Sequence, residues 1–275
     1  MISFGVKLLN LHQLYCLSID FIYFVDIDQT NLKIINTKLP IFINCDMGEW
    51  DAPHLINQDH LIMPYIDLCN IACGGHAGSE EIMVHTIELA IEHEVEIGAH
   101  PGYEDKTNFG RQYVEMKEPD LKDLLRSQID LFLNSADKVG VLPYHIKPHG
   151  ALYHACNHRE IEMNILIDIV KQEYSYLTLL VFPNSILHRK AEADQLNIMA
   201  ESFIDRSYTK NLKLVSRNED GAVISSVKKA REQFENLSNG KIVTHEGFTE
   251  ELISQTSCVH GDNPNVFEIL EAINS

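Results

Sequence analysis

Basic residues are scarce in this chain. It carries 22 Lys and Arg against 40 Asp and Glu, a formal net charge of −18. A nucleic acid or an anionic membrane needs a basic face, so this balance argues against both partners. An anionic small substrate would need a local cluster of Lys, Arg or His set against the overall field. Long apolar runs are absent as well, and no stretch of about 20 apolar residues predicts a transmembrane helix. The greasy segment LYCLSIDFIYFV at 14–25 is short and interrupted by Asp20. Only Lys7 precedes it as a basic residue and no small-residue cleavage site follows, a poor fit to a signal peptide. A disulfide framework is missing too. The 6 cysteines are irregularly spaced in a chain too large to need staples, which points to reduced thiols in a cytoplasmic protein.

Several familiar catalytic signatures do not occur. There is no G-x-x-x-x-G-K-[ST] loop and no G-x-G-x-x-G after a strand, so a nucleotide would be held in another way. No G-x-S-x-G elbow is present, which argues against an α/β-hydrolase nucleophile. Cys69-x-x-x-Cys73 followed by His76 resembles half of a zinc site, but no second cysteine pair completes four ligands. The two thiols read instead as small buried hydrophobes near a strand end.

What is present is apolar material in a regular rhythm. Hydrophobic residues make up 45% of the 275 residues, ample for a core. From about residue 40, β-rich runs alternate with helical patterns. The runs are IFINC (41–45), DLCNIAC (67–73), VEIGA (95–99), YHIK (144–147), LTLLVF (177–182), LNIMA (196–200) and TSCVH (256–260). Between them, SEEIMVHTIELAIEH offers Ser79 as an N-cap, with Glu80 and Glu81 in the first turn. EPDLKDLLRSQIDLFLNSADKVG places Leu121, Leu124, Leu125 and Ile129 on one helical face, with Gly140 as a stop. Further helices fit IEMNILIDIVKQE and VISSVKKAREQF. Strand–helix alternation implies a parallel sheet covered by helices. About seven such units suit a closed α/β barrel of TIM type better than an open sheet. Residues 40–275 are therefore expected to form one barrel domain, with residues 1–39 as an extension.

Polar residues collect just after these runs. Asp46 and Glu49 follow the first, and GGHAG with His76 follows the second. HPGY with His100 follows the third, with NFGRQ and Arg111 close behind. The fourth leads into IKPHGALYH, where Pro148 and Gly150 flank His149 and sit beside Lys147. Proline fixes one backbone angle and glycine frees another, a pairing that aims side chains. ESFIDR follows the sixth run, and His260, Gly261 and Asp262 follow the last. In a parallel barrel all strand C-termini open on one face, where active sites sit. These residues are expected to converge there. His154 and His158, four apart on a helical pattern, read as solvated side chains, and Asp205-Arg206 fits a structural ion pair as well as a site.

Two chemistries suit such a rim. Asp and His meeting at one point would hold a divalent metal that activates water. Alternatively, Lys147, Arg111 and the histidines would bind phosphate or carboxylate while a carboxylate acts as base.

The motifs INCDMGE, NIACGGHAG, IGAHPGYEDKTNFGRQ, KPHGALY, ESFIDRSY…LVSR…GAVI and CVHGDNP occur in that order. Together they resemble the LamB/YcsF family, the family of the A subunit of the prokaryotic ATP-dependent 5-oxoprolinase, from about residue 41 to about 271. The resemblance implies a barrel of glycoside hydrolase/deacetylase type. It implies opening of the lactam of 5-oxo-L-proline to L-glutamate, with ATP hydrolysed to ADP and phosphate, and partner subunits B and C. Mg²⁺ would accompany the ATP. The family positions in this chain are Asp46, Glu49, His76, His100, Arg111, Lys147, His149, Glu201, Asp205, Arg206, Arg217, His260 and Asp262. Chemistry assigns their roles. Lys147 and Arg111 would stabilise phosphoryl charge. His149 or His76 would move a proton, and Asp46 and Asp262 would position Mg²⁺–nucleotide or the lactam N–H. Glu49, His100, Asp205, Arg206, Arg217 and His260 would bind substrate or ATP.

Three departures from the family pattern stand out. Trp50 follows Glu49 where glycine is usual, Gly75 replaces a common Phe, and Gln112 replaces a second Arg. Gln112 removes a positive charge, and Gly75 is expected to loosen the His76 loop. Two other readings of the rim are a metal-dependent deacetylase with Asp46, His76 and His100 as ligands, and a non-catalytic component that binds partners.

Overall fold

The computed structural model describes the backbone of residues 22–28 and 31–37, and residues 41–275 apart from 53, 54 and 56. The chain divides into two compact units, residues 1–40 and 41–275. In the first, β1 (Ile22–Asp28) pairs antiparallel with β2 (Asn31–Thr37), with Asp28 opposite Asn31. The rest of the expected 1–39 extension, including Cys16, lies outside the described residues.

The second unit is a closed barrel of seven parallel strands, in the order β11-β3-β4-β5-β6-β7-β8. These are β3 (Phe42–Met47), β4 (Leu68–Ala72), β5 (Glu96–His100), β6 (His145–Ile146), β7 (Thr178–Val181), β8 (Ile198–Phe203) and β11 (Thr256–Val259). Each apolar run of the sequence supplies one of them. A short hairpin, β9 (Lys241–Val243) with β10 (Thr249–Glu251), lies outside the barrel sheet.

Helices surround the strands. In α2 (Glu80–Glu92), Ser79 Oγ accepts the Ile82 N–H at 3.3 Å, relieving one unpaired donor of the first turn. In α3 (Glu118–Val139), Leu121, Leu124, Leu125 and Ile129 are buried, and Gly140 ends the helix in the left-handed region. Full burial of a side chain such as Leu125 contributes about 1.5–3 kcal/mol. α5 (Glu160–Glu173) forms as expected. α7 (Val227–Ser238) starts later than VISSVKKAREQF suggests. Val223 forms a β-bridge with Arg206, and the Ile224 N–H is held by the Asp205 carbonyl at 2.8 Å. These bonds keep 223–224 extended, so Ser226 becomes the cap. The short helices α1 (Asp59–Ile62), α4 (Gly150–His158), α6 (Ile186–Ala193) and α8 (Val266–Ile273) complete the set. No helix among the described residues is long and apolar enough to cross a membrane.

Strand alternation separates two environments. Ile43, Cys45 and Met47 of β3 join the apolar cluster that includes Met83, Ile87, Leu125 and Ile129 of the helices. Asn44 and Asp46 point the other way, into the barrel. There Asn44 Nδ2 donates to Thr256 Oγ1 at 2.8 Å, and Asn70 Nδ2 donates to Asn44 Oδ1 at 2.8 Å. His145 Nε2 donates to Asn70 Oδ1 at 2.7 Å. The His145 ring fits because its neighbour on β5 is Gly98: a Cβ there would fall 2.2 Å from the imidazole. The barrel is thus filled by a buried polar layer, and the site stands on it.

Candidate active site

The residues that follow the strands meet at one mouth. Asp46 closes the polar face of β3, His76 lies after β4 and His100 ends β5. Lys147 and His149 follow β6, Glu201 belongs to β8, and His260 and Asp262 follow β11. All of them except Asp262 and His260 are buried.

Lys147 occupies the centre. Its Nζ is 2.9 Å from Asp46 Oδ1 and 2.9 Å from Glu201 Oε1. It also donates to Asn44 Oδ1 at 3.2 Å and Cys258 Sγ at 3.1 Å. Burial opposes the ammonium charge, yet Asp46, Cys258 and Glu201 around it hold its pKa well above the usual lysine range. Burial likewise opposes the Asp46 carboxylate, but His100 and Lys147 beside it keep its pKa well below the ordinary value. Lys147 is therefore an enclosed counter-ion. Two carboxylates already claim the ammonium.

The opposite side of the mouth is neutral. His76 and His149 stack with ring centroids 3.6 Å apart and planes 4° from parallel. His76 Nε2 is 2.8 Å from Glu49 Oε1, and His149 Nδ1 is 3.5 Å from the same oxygen. Burial, aided by neighbouring imidazoles, lowers the pKa of both rings well below the usual range. Burial, then the charges of Asp46 and Asp262, pushes the Glu49 carboxyl well up. Glycines make room for the stack. A Cβ on Gly102 would lie 2.6 Å from His76 Nδ1, and one on Gly110 would lie 2.7 Å from His76 Cβ.

Gly75 does not loosen this loop. Gln128 reaches in from α3, donates to the Gly102 carbonyl at 2.8 Å and accepts the Gly102 N–H at 3.0 Å. A Cβ at Gly75 would strike the Gln128 amide at 2.6 Å. The side chain absent at position 75 is replaced by a clamp from a neighbouring helix.

The rim is ion-paired. Arg111 bonds Asp262, and Arg217 lies 3.9 Å from the same carboxylate. Asp205 pairs with His260 at 2.8 Å, not with Arg206 as the adjacent sequence suggested. The Arg206 guanidinium donates to the Val215 and Ala222 carbonyls and braces the loop after β8. Burial and then Arg217 lower its pKa to about 10. Gln112 is exposed and bonds Asn108. Cys69 and Cys73 are buried free thiols, and His154 and His158 are exposed on α4. Asn44, Asn70, His145 and Gln128 escaped the sequence reading. For Asn44 and His145 a signal existed: they stand two residues before Asp46 and Lys147, on the same strand face.

A small cleft opens beside this centre, lined by Asp46, Glu49, Trp50, Asp59 and Gly261 among others. The Trp50 indole N–H is buried with no hydrogen-bond partner.

Fold and site together define a (β/α) barrel with a buried acid–base centre at its C-terminal mouth. The LamB/YcsF family model matches residues 41–275, and the chain belongs to that family. It is 36% identical over 240 residues to the 5-oxoprolinase A subunit of Vibrio cholerae serotype O1, covering 86% of this chain and 97% of that protein. It is also 36% identical over 232 residues to the 5-oxoprolinase A subunit of Pyrococcus abyssi, covering 84% and 91%. Among solved structures, the lactam utilization protein of Thermus thermophilus superposes with a TM-score of 0.79. That match has 28% identity and covers 86% of this chain and 94% of that one.

Proposed function

We propose that this chain is the A subunit of an ATP-dependent 5-oxoprolinase, working in the cytoplasm with subunits B and C. The observation that carries the reading is the cleft that presents two carboxyl groups of opposite character. His100 and Lys147 hold the Asp46 carboxyl well below the usual range, burial pushes that of Glu49 well above it, and both line the cleft. Carboxyls pushed apart in pKa divide into a base and an acid. The names of the relatives in Vibrio cholerae and Pyrococcus abyssi support the same substrate.

A five-membered lactam resists hydrolysis, and phosphorylation of its oxygen makes a better electrophile. In this scheme the lactam oxygen bonds to the γ-phosphorus of ATP and ADP leaves. The lactam N–H proton passes to Asp46. With subunits B and C present, water then adds across the activated C=N bond, the ring C–N bond breaks, and Glu49 protonates the departing nitrogen and takes back the proton of the new hydroxyl. A second water releases phosphate from the acyl phosphate, with subunits B and C completing the opening. The half-exposed Arg111 and Arg217 face the phosphates, and Lys147 keeps Asp46 ionised. Mg²⁺ enters as part of the MgATP substrate. It prefers oxygen ligands and phosphates, which the imidazole-rich centre does not imitate.

The test is glutamate formation from 5-oxo-L-proline and ATP, with the three subunits combined and with each omitted. Glutamate should form only with all three. On the isolated chain water should return the phosphorylated lactam to 5-oxo-L-proline, so phosphate is released from ATP only when 5-oxo-L-proline is present and no glutamate accumulates. No glutamate from the complete mixture would overturn the reading.

A further inference from the structure

Two backbone carbonyls fix the tautomers at the centre of the mouth. His100 Nδ1 is 2.6 Å from the Lys147 carbonyl oxygen, and His149 Nε2 is 3.0 Å from the Phe109 carbonyl oxygen. A carbonyl can only accept, so each of these nitrogens carries an N–H. The remaining nitrogens, His100 Nε2 and His149 Nδ1, face each other at 2.9 Å. In neutral rings both present lone pairs. Asp46 Oδ2 lies 3.3 Å from the first, and Glu49 Oε1 lies 3.5 Å from the second. His100 Nε2, His149 Nδ1 and Glu49 Oε1 therefore gather within 4.8 Å of one another, with Asp46 Oδ2 beside the first.

We propose that Glu49, His100 and His149, with Asp46 beside them, bind one divalent first-row transition cation of the zinc, cobalt or manganese class. Mixed imidazole and carboxylate ligands suit these ions. With metal–ligand bonds of about 2.1 Å, adjacent donors lie about 3.0 Å apart in an octahedron and about 3.4 Å apart in a tetrahedron. Within the set, the separations of 2.9 Å between His100 and His149 and 3.5 Å between His149 and Glu49 bracket those edges. The outward N–H bonds to carbonyl oxygens are the support that orients metal-binding histidines.

This ligand set differs from Asp46, His76 and His100. The His76 ring is parallel to that of His149, so a cation in the plane of one ring lies out of the plane of the other. His76 instead positions Glu49 through their 2.8 Å contact. The adjacent group Asp46, Cys258 and His260 also has its donor atoms within 4.8 Å of one another. There the Lys147 ammonium, 3.1 Å from the sulfur, repels a second cation. A cation and the Glu49 proton compete for one oxygen, so the metal-loaded chain lacks the neutral acid invoked above. Metal binding is therefore measured without reference to turnover, and its failure leaves the 5-oxoprolinase reading untouched.

The test titrates the chelator-stripped full chain with Zn²⁺ and with Co²⁺, read by calorimetry and by the visible spectrum of bound Co²⁺. One equivalent per chain is expected. His149→Ala should weaken binding by about 100-fold or more, and His76→Phe by about 10-fold, the range for a supporting residue. The double variant His154→Ala/His158→Ala should bind as the natural chain does. X-ray absorption at the zinc edge of the natural protein needs no variant and should show two imidazoles with oxygen ligands. No stoichiometric binding, unchanged affinity in His149→Ala, loss of binding in the α4 double variant, or a shell without imidazole would each overturn the proposal.

Discussion

The two sides of the barrel mouth are equally buried and carry opposite charge states. On one side Asp46 and Lys147 are ionised, linked at 2.9 Å, with Glu201 as a second anion. On the other, burial pushes the Glu49 carboxyl well up and the His76 imidazole well down, toward neutral forms, and the two meet at 2.8 Å. Burial alone pushes every one of these groups toward neutrality. The ionised side escapes because each charge there has an opposite charge within contact. On the neutral side Arg111 opposes the shift of Glu49 without overcoming burial, and the nearby anions Asp46 and Asp262 reinforce it. The lesson is that depth sets protonation on one side, and on the other an opposite charge in contact overrides it.

Lys147→Met should break this contrast most severely. It strands Asp46 and Glu201 without their counter-ion. Removing one partner of a buried ion pair costs about 3–5 kcal/mol. Chemical denaturation should show that loss, together with loss of turnover. Lys147→Met combined with Glu201→Gln should recover part of the stability. A loss below about 1 kcal/mol in the single variant would show that the ionised side is not held by this pair.

Much of this site was legible in the sequence for a physical reason. A parallel barrel makes its strands apolar on one face and brings all their C-terminal ends together. Runs such as IFINC and YHIK therefore announced both a strand and the place where Asp46 and Lys147 would sit. The layer below stayed hidden because a polar residue inside a strand run looks like noise. Asn44, Asn70 and His145 fall within runs chosen for their apolar neighbours, and only the period of two marks them as facing inward. Pairing was hidden as well. Asp205 adjoins Arg206 in sequence, yet a strand end sends neighbouring side chains apart, and Asp205 meets His260 instead. The short helices α4, α6 and α8 span too few turns to impose a clear period. Gln128 shows a compensation that no local pattern encodes, since it fills space 53 positions away from Gly75.

Gly102→Ala should disturb the neutral side alone. The new Cβ would lie 2.6 Å from His76 Nδ1 and 3.3 Å from His149 Cβ. Overpacking of this kind costs about 1–3 kcal/mol. Thermal unfolding should report that loss, and the pairing around Lys147 should survive. An unchanged midpoint would mean the imidazole stack yields freely.

His145 tests the same logic one layer down. Burial and then the Lys147 charge lower its pKa to about 3. In the unfolded chain it titrates near 6.5. Between about 3 and 6.5 the unfolded chain binds more protons, so stability rises with pH and is lost as pH falls through this window. One such group contributes a slope of up to about 1.4 kcal/mol per pH unit. Urea unfolding of His145→Asn across this range should show a slope shallower by about one proton. An identical slope would mean His145 is charged when folded.

Glu49→Gln should have the smallest effect on stability, and that smallness is what the comparison predicts. The amide matches the carboxyl in shape and is neutral, as the protonated acid already is. It can still donate a hydrogen bond to His76. The change at neutral pH should stay within about 0.5 kcal/mol. Asp46→Asn is the matching swap on the ionised side and should cost several times more, because Lys147 and His100 lose the carboxylate they face. Urea unfolding of both variants at one pH gives the answer. Turnover should still fall by about 10²–10⁴ in Glu49→Gln, the scale of a lost proton donor. Equal stability losses in the two variants would mean Glu49 is ionised in the folded chain, and the mouth would then be charged on both sides.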